Sequence, residues 1–162
     1  MSARFHPYLC GRNAAEWLID MMISTKGRYA LRLMLDLALH SGGSAVPLKE
    51  VAERQEISDK YLEQIVTQLS RAGLVRSIRG AGGGYLLTRA PEEYMVGEIL
   101  RVLEGNLAPV SCASGAGCCE RADRCVTLEV WQQIQDAVSS VVDHITLADL
   151  VRRYYEKCPQ GE

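Results

Sequence analysis

The spacing of apolar positions changes along the chain, and each change marks an element. From Ser24, apolar residues fall at Tyr29, Ala30, Leu33, Met34, Leu37 and Ala38, one wide stripe at helical period, until Ser41-Gly42-Gly43 halts it. Ser24 or Thr25 is the residue type that accepts from the free N–H groups of a first helical turn. Pro47 opens a second, short helix with Val51 and Ala52 facing inward, ending near Ile57. Ser58 caps a third, whose buried face is Leu62, Ile65, Val66 and Leu69, and Gly73 supplies its stop. Two compact helices joined by a short turn read as a helix-turn-helix.

The period then shortens. Leu74-Val75-Arg76-Ser77-Ile78 reads as a strand, Arg79-Gly80-Ala81-Gly82-Gly83-Gly84 as a turn, and Tyr85-Leu86-Leu87-Thr88 as the returning strand, which together make a wing. The glycine run is not a phosphate loop, because such a loop needs Gly-Lys-Ser/Thr entering a helix and here the chain leaves as a strand. Pro91 breaks the chain, and a helix carrying Val96, Ile99, Leu100 and Leu103 closes at Gly105. From Thr127 to about His144 a long helix repeats apolar residues at Val130, Ile134, Ala137, Val138, Val141 and Ile145 as one seam. Thr146 with Asp149 forms a capping box ahead of a last short helix, Leu147 to Tyr155. A small winged-helix unit already has a core, so the long seam is expected to be a dimer contact.

The fold class is therefore mainly α with a small β wing: a winged helix-turn-helix domain plus a long C-terminal dimerisation helix. The winged domain is expected over 22–106, a cysteine-rich loop over 107–126, dimerisation helices over 127–157 and a tail over 158–162. Residues 1–21 lack periodicity and are expected to be a disordered extension or the product of a misassigned start; His6 and Cys10 fall there.

Length and charge narrow the class of partner. A chain of 162 residues can bury a core without covalent staples. No apolar run approaches the ~20 residues that span a bilayer, and no leader pattern opens the chain. A cytoplasmic protein with no membrane partner, its thiols reduced, is the expectation. The net charge is only −2, but Met22–Ala90 carries ten Lys or Arg against six Asp or Glu, and Pro91–Glu162 carries six against twelve. The basic half is the candidate for a polyanion, and with the helix-turn-helix that means a double-stranded DNA operator.

The first turn of the third helix then offers Ser58, Asp59, Lys60, Tyr61, Glu63 and Gln64 to the major groove. Gln64 can pair with adenine, and Glu63 can accept from cytosine while repelling phosphate. Arg79 at the wing tip suits a narrow minor groove. Arg28, Lys49, Arg76 and Arg89 suit phosphates. No constellation for a small-molecule substrate accompanies them, so an enzyme is not expected, and a small electron-transfer or redox enzyme is the reading set aside.

Four of the six cysteines, Cys112, Cys118, Cys119 and Cys125, lie in one loop among Gly, Ala and charged residues that cannot build a core. Three chemistries compete. Structural zinc prefers ligands two to four residues apart, whereas five residues separate Cys112 from Cys118 and Cys119 from Cys125. A disulfide switch needs a stabilised thiolate, which Arg121 and Arg124 could supply. An iron–sulfur cluster suits thiolates converging from a glycine-containing loop.

Five stretches carry a resemblance: Ser24-Thr-Lys-Gly-Arg-Tyr-Ala30, Ser58-Asp-Lys-Tyr-Leu-Glu-Gln64, Arg79-Gly-Ala-Gly-Gly-Gly-Tyr-Leu-Leu87, the cysteine loop with Thr127-Leu-Glu-Val-Trp131, and Ile145-Thr-Leu-Ala-Asp-Leu150. From about Met22 to Tyr154 the chain resembles the IscR and NsrR group of bacterial winged-helix regulators, the Rrf-two superfamily, and within it the IscR branch. The resemblance implies a homodimer on a partly palindromic operator, the long helices forming the dimer core. It also implies an iron–sulfur cluster, 2Fe–2S favoured and 4Fe–4S the alternative, whose state alters DNA binding, most simply as a repressor. Cys112, Cys118 or Cys119, and Cys125 match its ligands. The pattern departs at the fourth: the IscR branch has a histidine three residues after the last cysteine, where this chain has Leu128, and the acidic residue of the NsrR branch corresponds to Arg28. Cys119, Glu129, His144, Asp20, Cys10 or an exogenous thiol are the remaining candidates.

Overall fold

The computed structural model describes residues 23–114 and 119–158. The 1–21 extension with His6, Cys10 and Asp20, the ligand candidate Cys118, and tail residues 159–162 lie outside the described residues.

Helix α1 (Thr25–His40) starts where its sequence says it should, with the Ser24 hydroxyl accepting from the Lys26 and Gly27 N–H groups. A second acceptor joins it that no local pattern announces. The Glu104 carboxylate takes the Ser24 N–H at 3.0 Å, the Ser24 hydroxyl at 2.7 Å and the Gly27 N–H at 3.1 Å, placing negative charge at the positive end of the helix. Helix α2 (Leu48–Gln55) and helix α3 (Asp59–Arg71) follow. Between them Glu56 adopts left-handed φ 54° and ψ 44°, which reverses the chain in very few residues. Ser58 stands at the N-cap of α3 as expected, but its backbone carbonyl, not its hydroxyl, accepts from the Tyr61 and Leu62 N–H groups.

The apolar stripes meet in one core: Ala30, Leu33, Met34 and Leu37 of α1 against Val51, Leu62, Ile65, Leu69, Ile99 and Leu147. One carboxylate lies inside it. Asp36 is 1% exposed and receives the Arg54 guanidinium at 2.7 Å and the Gln55 amide at 2.9 Å. A buried charge is tolerable only when paired and hydrogen-bonded, so Asp36 fixes the end of α2 on α1.

Strands β1 (Val75–Ile78) and β2 (Gly84–Leu87) pair antiparallel from Val75↔Leu87 to Ile78↔Gly84. The hairpin is not free-standing: Val46, just before α2, exchanges both backbone hydrogen bonds with Tyr85. Gly84 permits this, since a side chain there would run into the Val46 carbonyl. Tyr94 closes the base of the wing. Its buried hydroxyl accepts from the Thr88 and Arg89 N–H groups, both at 2.8 Å, and donates to the Leu74 carbonyl at 2.9 Å.

Helix α4 (Val96–Glu104), helix α5 (Val126–Val142) and helix α6 (Leu147–Lys157) complete the chain. The capping box before α6 forms in both directions, Asp149 N–H to Thr146 hydroxyl and Thr146 N–H to Asp149 carboxylate. The seam read along α5 divides in two. Val138, Val142 and Ile145 pack with Val96 and Leu100 of α4, whereas Val126, Val130, Ile134 and Val141 stay exposed, Val126 at 77%. Val138 and Ile145 thus pack within their own chain, beside Val142, where the C-terminal end of α5 meets α4. Arg101 and Asp143 pair there at 2.8 Å, and the guanidinium holds the Asp143 carboxyl below its usual range.

The described chain forms two compact units, one of Ile23–Leu107 with 136–158 and one of Ala108–Gln135. Tyr94→Phe is expected to lower unfolding stability by about 2 kcal/mol in urea titrations, because it strands buried backbone groups that the hydroxyl satisfied.

Candidate nucleic-acid interface and thiol site

The outward face of α3 is polar along its length. Lys60, Glu63 and Gln64 are exposed, and together with Thr67, Gln68 and Arg71 they line one shallow depression. The last three were missed when the face was read only to Gln64; steps of three and four residues along the helix carry the same stripe to Arg71. Ser58 and Asp59 are exposed and line a second depression with Lys49, Glu53 and Glu56. Lys49 is exposed, its ammonium 4.0 Å from the Glu53 carboxylate one turn along α2. Arg28 is exposed on the first turn of α1.

Tyr61 has a different place. It is half-buried, its ring edge-on to Tyr29 with centroids 5.7 Å apart, and the Arg32 guanidinium lies 5.4 Å from the Tyr29 ring. Arg32 in turn donates to the Gln55 side chain and carbonyl. This stack ties α3 to α1, so Tyr61 has a packing role beside any contact its rim makes.

The wing presents Arg76 and Arg79 to solvent. Its turn depends on Gly80 at φ 102°, where a side chain would be strained, and closes with the Gly83 N–H on the Gly80 carbonyl at 2.9 Å. Arg89 differs from the other expected phosphate contacts. It bonds Glu98 at 2.7 Å and the Glu93 carbonyl at 3.2 Å, and it covers the Tyr94 ring at 4.4 Å.

In the cysteine loop, Cys112 sits in a single-turn helix, Ser111–Ser114, and Cys119 and Cys125 bracket another, Ala122–Arg124. The Ala122 N–H donates to the Cys119 carbonyl at 3.0 Å and the Cys125 N–H to the Ala122 carbonyl at 3.2 Å, folding the intervening residues tightly. All three cysteines are half-buried free thiols. Among the described residues no three His, Cys, Asp or Glu side chains converge as a metal cage.

Cys125 is the thiol with a defined electrostatic setting. It immediately precedes α5, and its Sγ lies 3.2 Å from the Thr127 hydroxyl. That hydroxyl, followed by the backbone N–H groups of Leu128 and Thr127, holds the thiol below the usual cysteine range. Hydrogen bonds at a helix start therefore supply the stabilisation that the sequence reading assigned to Arg121 and Arg124. Leu128 is half-buried in the first turn of α5, its N–H on the Cys125 carbonyl at 3.0 Å. Glu129 is exposed, as is His144, whose Nδ1 meets the Ser140 carbonyl at 3.0 Å.

Comparison with known proteins matches residues 23–153 to the Rrf2 family, described as "Iron-dependent Transcriptional regulator". The chain is 43% identical over 131 residues to the HTH-type transcriptional regulator IscR of Serratia proteamaculans, covering 81% of this chain and 79% of that protein. Among solved structures it is similar to IscR of T. potens, with 41% identity, a TM-score of 0.71, and 90% of this chain and 96% of that chain covered. It is also similar to CymR, titled the global cysteine regulator of B. subtilis, with 45% identity, a TM-score of 0.69, and 82% and 98% covered.

Thr127→Val removes the leading hydrogen bond to Cys125, so the thiol should titrate at higher pH and carry less thiolate at neutrality. Alkylation of metal-free protein, followed at the Cys125 peptide by mass spectrometry across pH, should show slower neutral reaction and a midpoint moved upward.

Proposed function

We propose a function from the premise that the chain belongs to the Rrf2 family, whose winged helix-turn-helix it carries. It is an IscR-like, DNA-binding transcriptional regulator and not an enzyme. Within that class we read it as a cytoplasmic homodimer that represses from a partly palindromic operator and senses iron–sulfur status through Cys112, Cys118 or Cys119, and Cys125. No helix among the described residues is long and apolar enough to cross a membrane.

The observation that carries the sensing half is Cys125: a thiol held below its usual range by the Thr127 hydroxyl 3.2 Å away at the start of α5, in a loop whose Cys112 and Cys119 are also free thiols. Thiolates of this kind are the donors that iron clusters require, so the donor set fits. A bound cluster would supply iron-dependent, redox-variable chemistry, 2Fe–2S being favoured over 4Fe–4S. Cys125 would hold it next to α5, and Cys112 with Cys118 or Cys119 would hold it from the loop. Leu128 offers no donor, so the fourth ligand comes from the second thiol of the Cys118–Cys119 pair or from outside this set. The exposed stripe of Val126, Val130, Ile134 and Val141 supports self-association, apolar area of this kind being covered in a stable protein.

For DNA, α3 enters the major groove. Gln64 and Glu63 read base edges, Ser58, Lys60, Lys49 and Arg28 contact phosphates, and Arg79 reaches the minor groove from the wing. Tyr61 holds the first turn of α3 against α1 while it does so.

The stabilised Cys125 thiol also favours a second reading, in which thiol oxidation or zinc replaces the cluster within the same regulator class. Protein purified without oxygen should be coloured and contain iron and acid-labile sulfide, and Cys125→Ala should lose both. Colourless or zinc-loaded protein under those conditions sinks the cluster, and a disulfide at Cys112 or Cys125 that changes operator affinity without iron establishes the alternative.

Arg79→Ala should weaken operator binding, and Gln64→Ala should reduce discrimination between sites. Affinity measured by fluorescence anisotropy should fall by roughly 10³-fold between 50 and 200 mM salt if ~6 phosphates are neutralised.

A further inference from the structure

The stripe that α3 turns outward consists of Lys60, Glu63, Gln64, Thr67, Gln68 and Arg71. Five of these are long side chains ending in hydrogen-bonding or charged groups. Thr67 is the exception, short and in the middle of the stripe. Its hydroxyl proton is already used: Oγ1 donates to the Glu63 carbonyl, one turn earlier in α3, at 2.6 Å. Threonine makes this bond by committing to a rotamer, and with its one O–H donor spent, exposed Thr67 offers a partner its methyl and an oxygen that can only accept.

An exposed methyl amid polar readers has one counterpart in the major groove. Thymine alone carries a 5-methyl there, and threonine methyls pack against it. We propose that Thr67 is a specificity-determining residue that selects thymine by methyl–methyl contact, at a base pair next to those read by Glu63 and Gln64. Glu63 thereby acts twice: its carboxylate is free for a base edge while its backbone carbonyl holds Thr67 in the reading conformation. The inference rests on the operator-binding role of α3 proposed above.

The test uses the full-length protein. Random-sequence selection supplies the operator, and each thymine in it is then replaced by deoxyuridine, which keeps every hydrogen-bonding group and removes only the methyl. One position per half-site should weaken wild-type binding by about fourfold, the value of burying one methyl group. Thr67→Ser keeps the bond to Glu63 and loses the methyl, so it should bind the thymine and uracil operators equally. Thr67→Val loses the hydroxyl and should still prefer thymine. A wild-type scan that is flat at every thymine overturns the proposal, as does a Thr67→Ser protein that keeps the wild-type ratio, since another residue then touches the methyl. Selection that enriches no sequence would instead overturn the operator reading, and this inference with it.

Discussion

A single hydroxyl holds the DNA-reading half of this protein in one piece. Tyr94 is fully buried, and its oxygen satisfies backbone groups from both sides of the wing base, the Leu74 carbonyl before β1 and the Thr88 and Arg89 N–H groups after β2. Its own carbonyl accepts the Leu147 N–H at 2.9 Å, and Val96 bonds back to Ile145. The wing, the start of α4 and the start of α6 therefore share one node. A two-stranded hairpin is marginal by itself, and Arg79 can be aimed only because this node and the Val46–Tyr85 pairing fix the strands behind it.

Helix α3 is fixed by a different device. Asp36 is a carboxylate inside an apolar core, and its partners Arg54 and Gln55 close α2. From Gln55 the contacts run through Arg32 to Tyr29 and on to Tyr61 in the first turn of α3. Removing one partner of a buried pair costs far more than the pair contributes. The angle between the two helices of the motif is thus guarded by penalties against each alternative.

The thiol loop works by local chemistry. Its lowered thiol depends on Thr127 and on the first N–H groups of α5, all within a few residues of Cys125. The same helix then carries an exposed apolar stripe, so the residue nominated to hold a cluster and the surface nominated for a partner copy belong to one continuous element.

By itself, the sequence determined the helices, their caps and the wing, because each depends on neighbours within a few positions: the stripe from Tyr29 to Ala38, Ser24 at its N-cap, the Thr146–Asp149 box and the glycine turn all lie where the pattern put them. It also nominated the cysteines, and Glu63 and Gln64 as candidates for base edges, by type and spacing. What it could not contain was partnership across long separations. Glu104 capping α1, Asp36 receiving Arg54, Tyr94 closing the wing and Arg89 pairing with Glu98 are choices among many chemically equal polar residues. Only the folded chain decides them, because burial makes a hydrogen bond obligatory and proximity alone says which group is there to make it. The division of the α5 seam has the same origin: a valine's spacing gives its face on the helix, while what covers that face depends on where α4 lies.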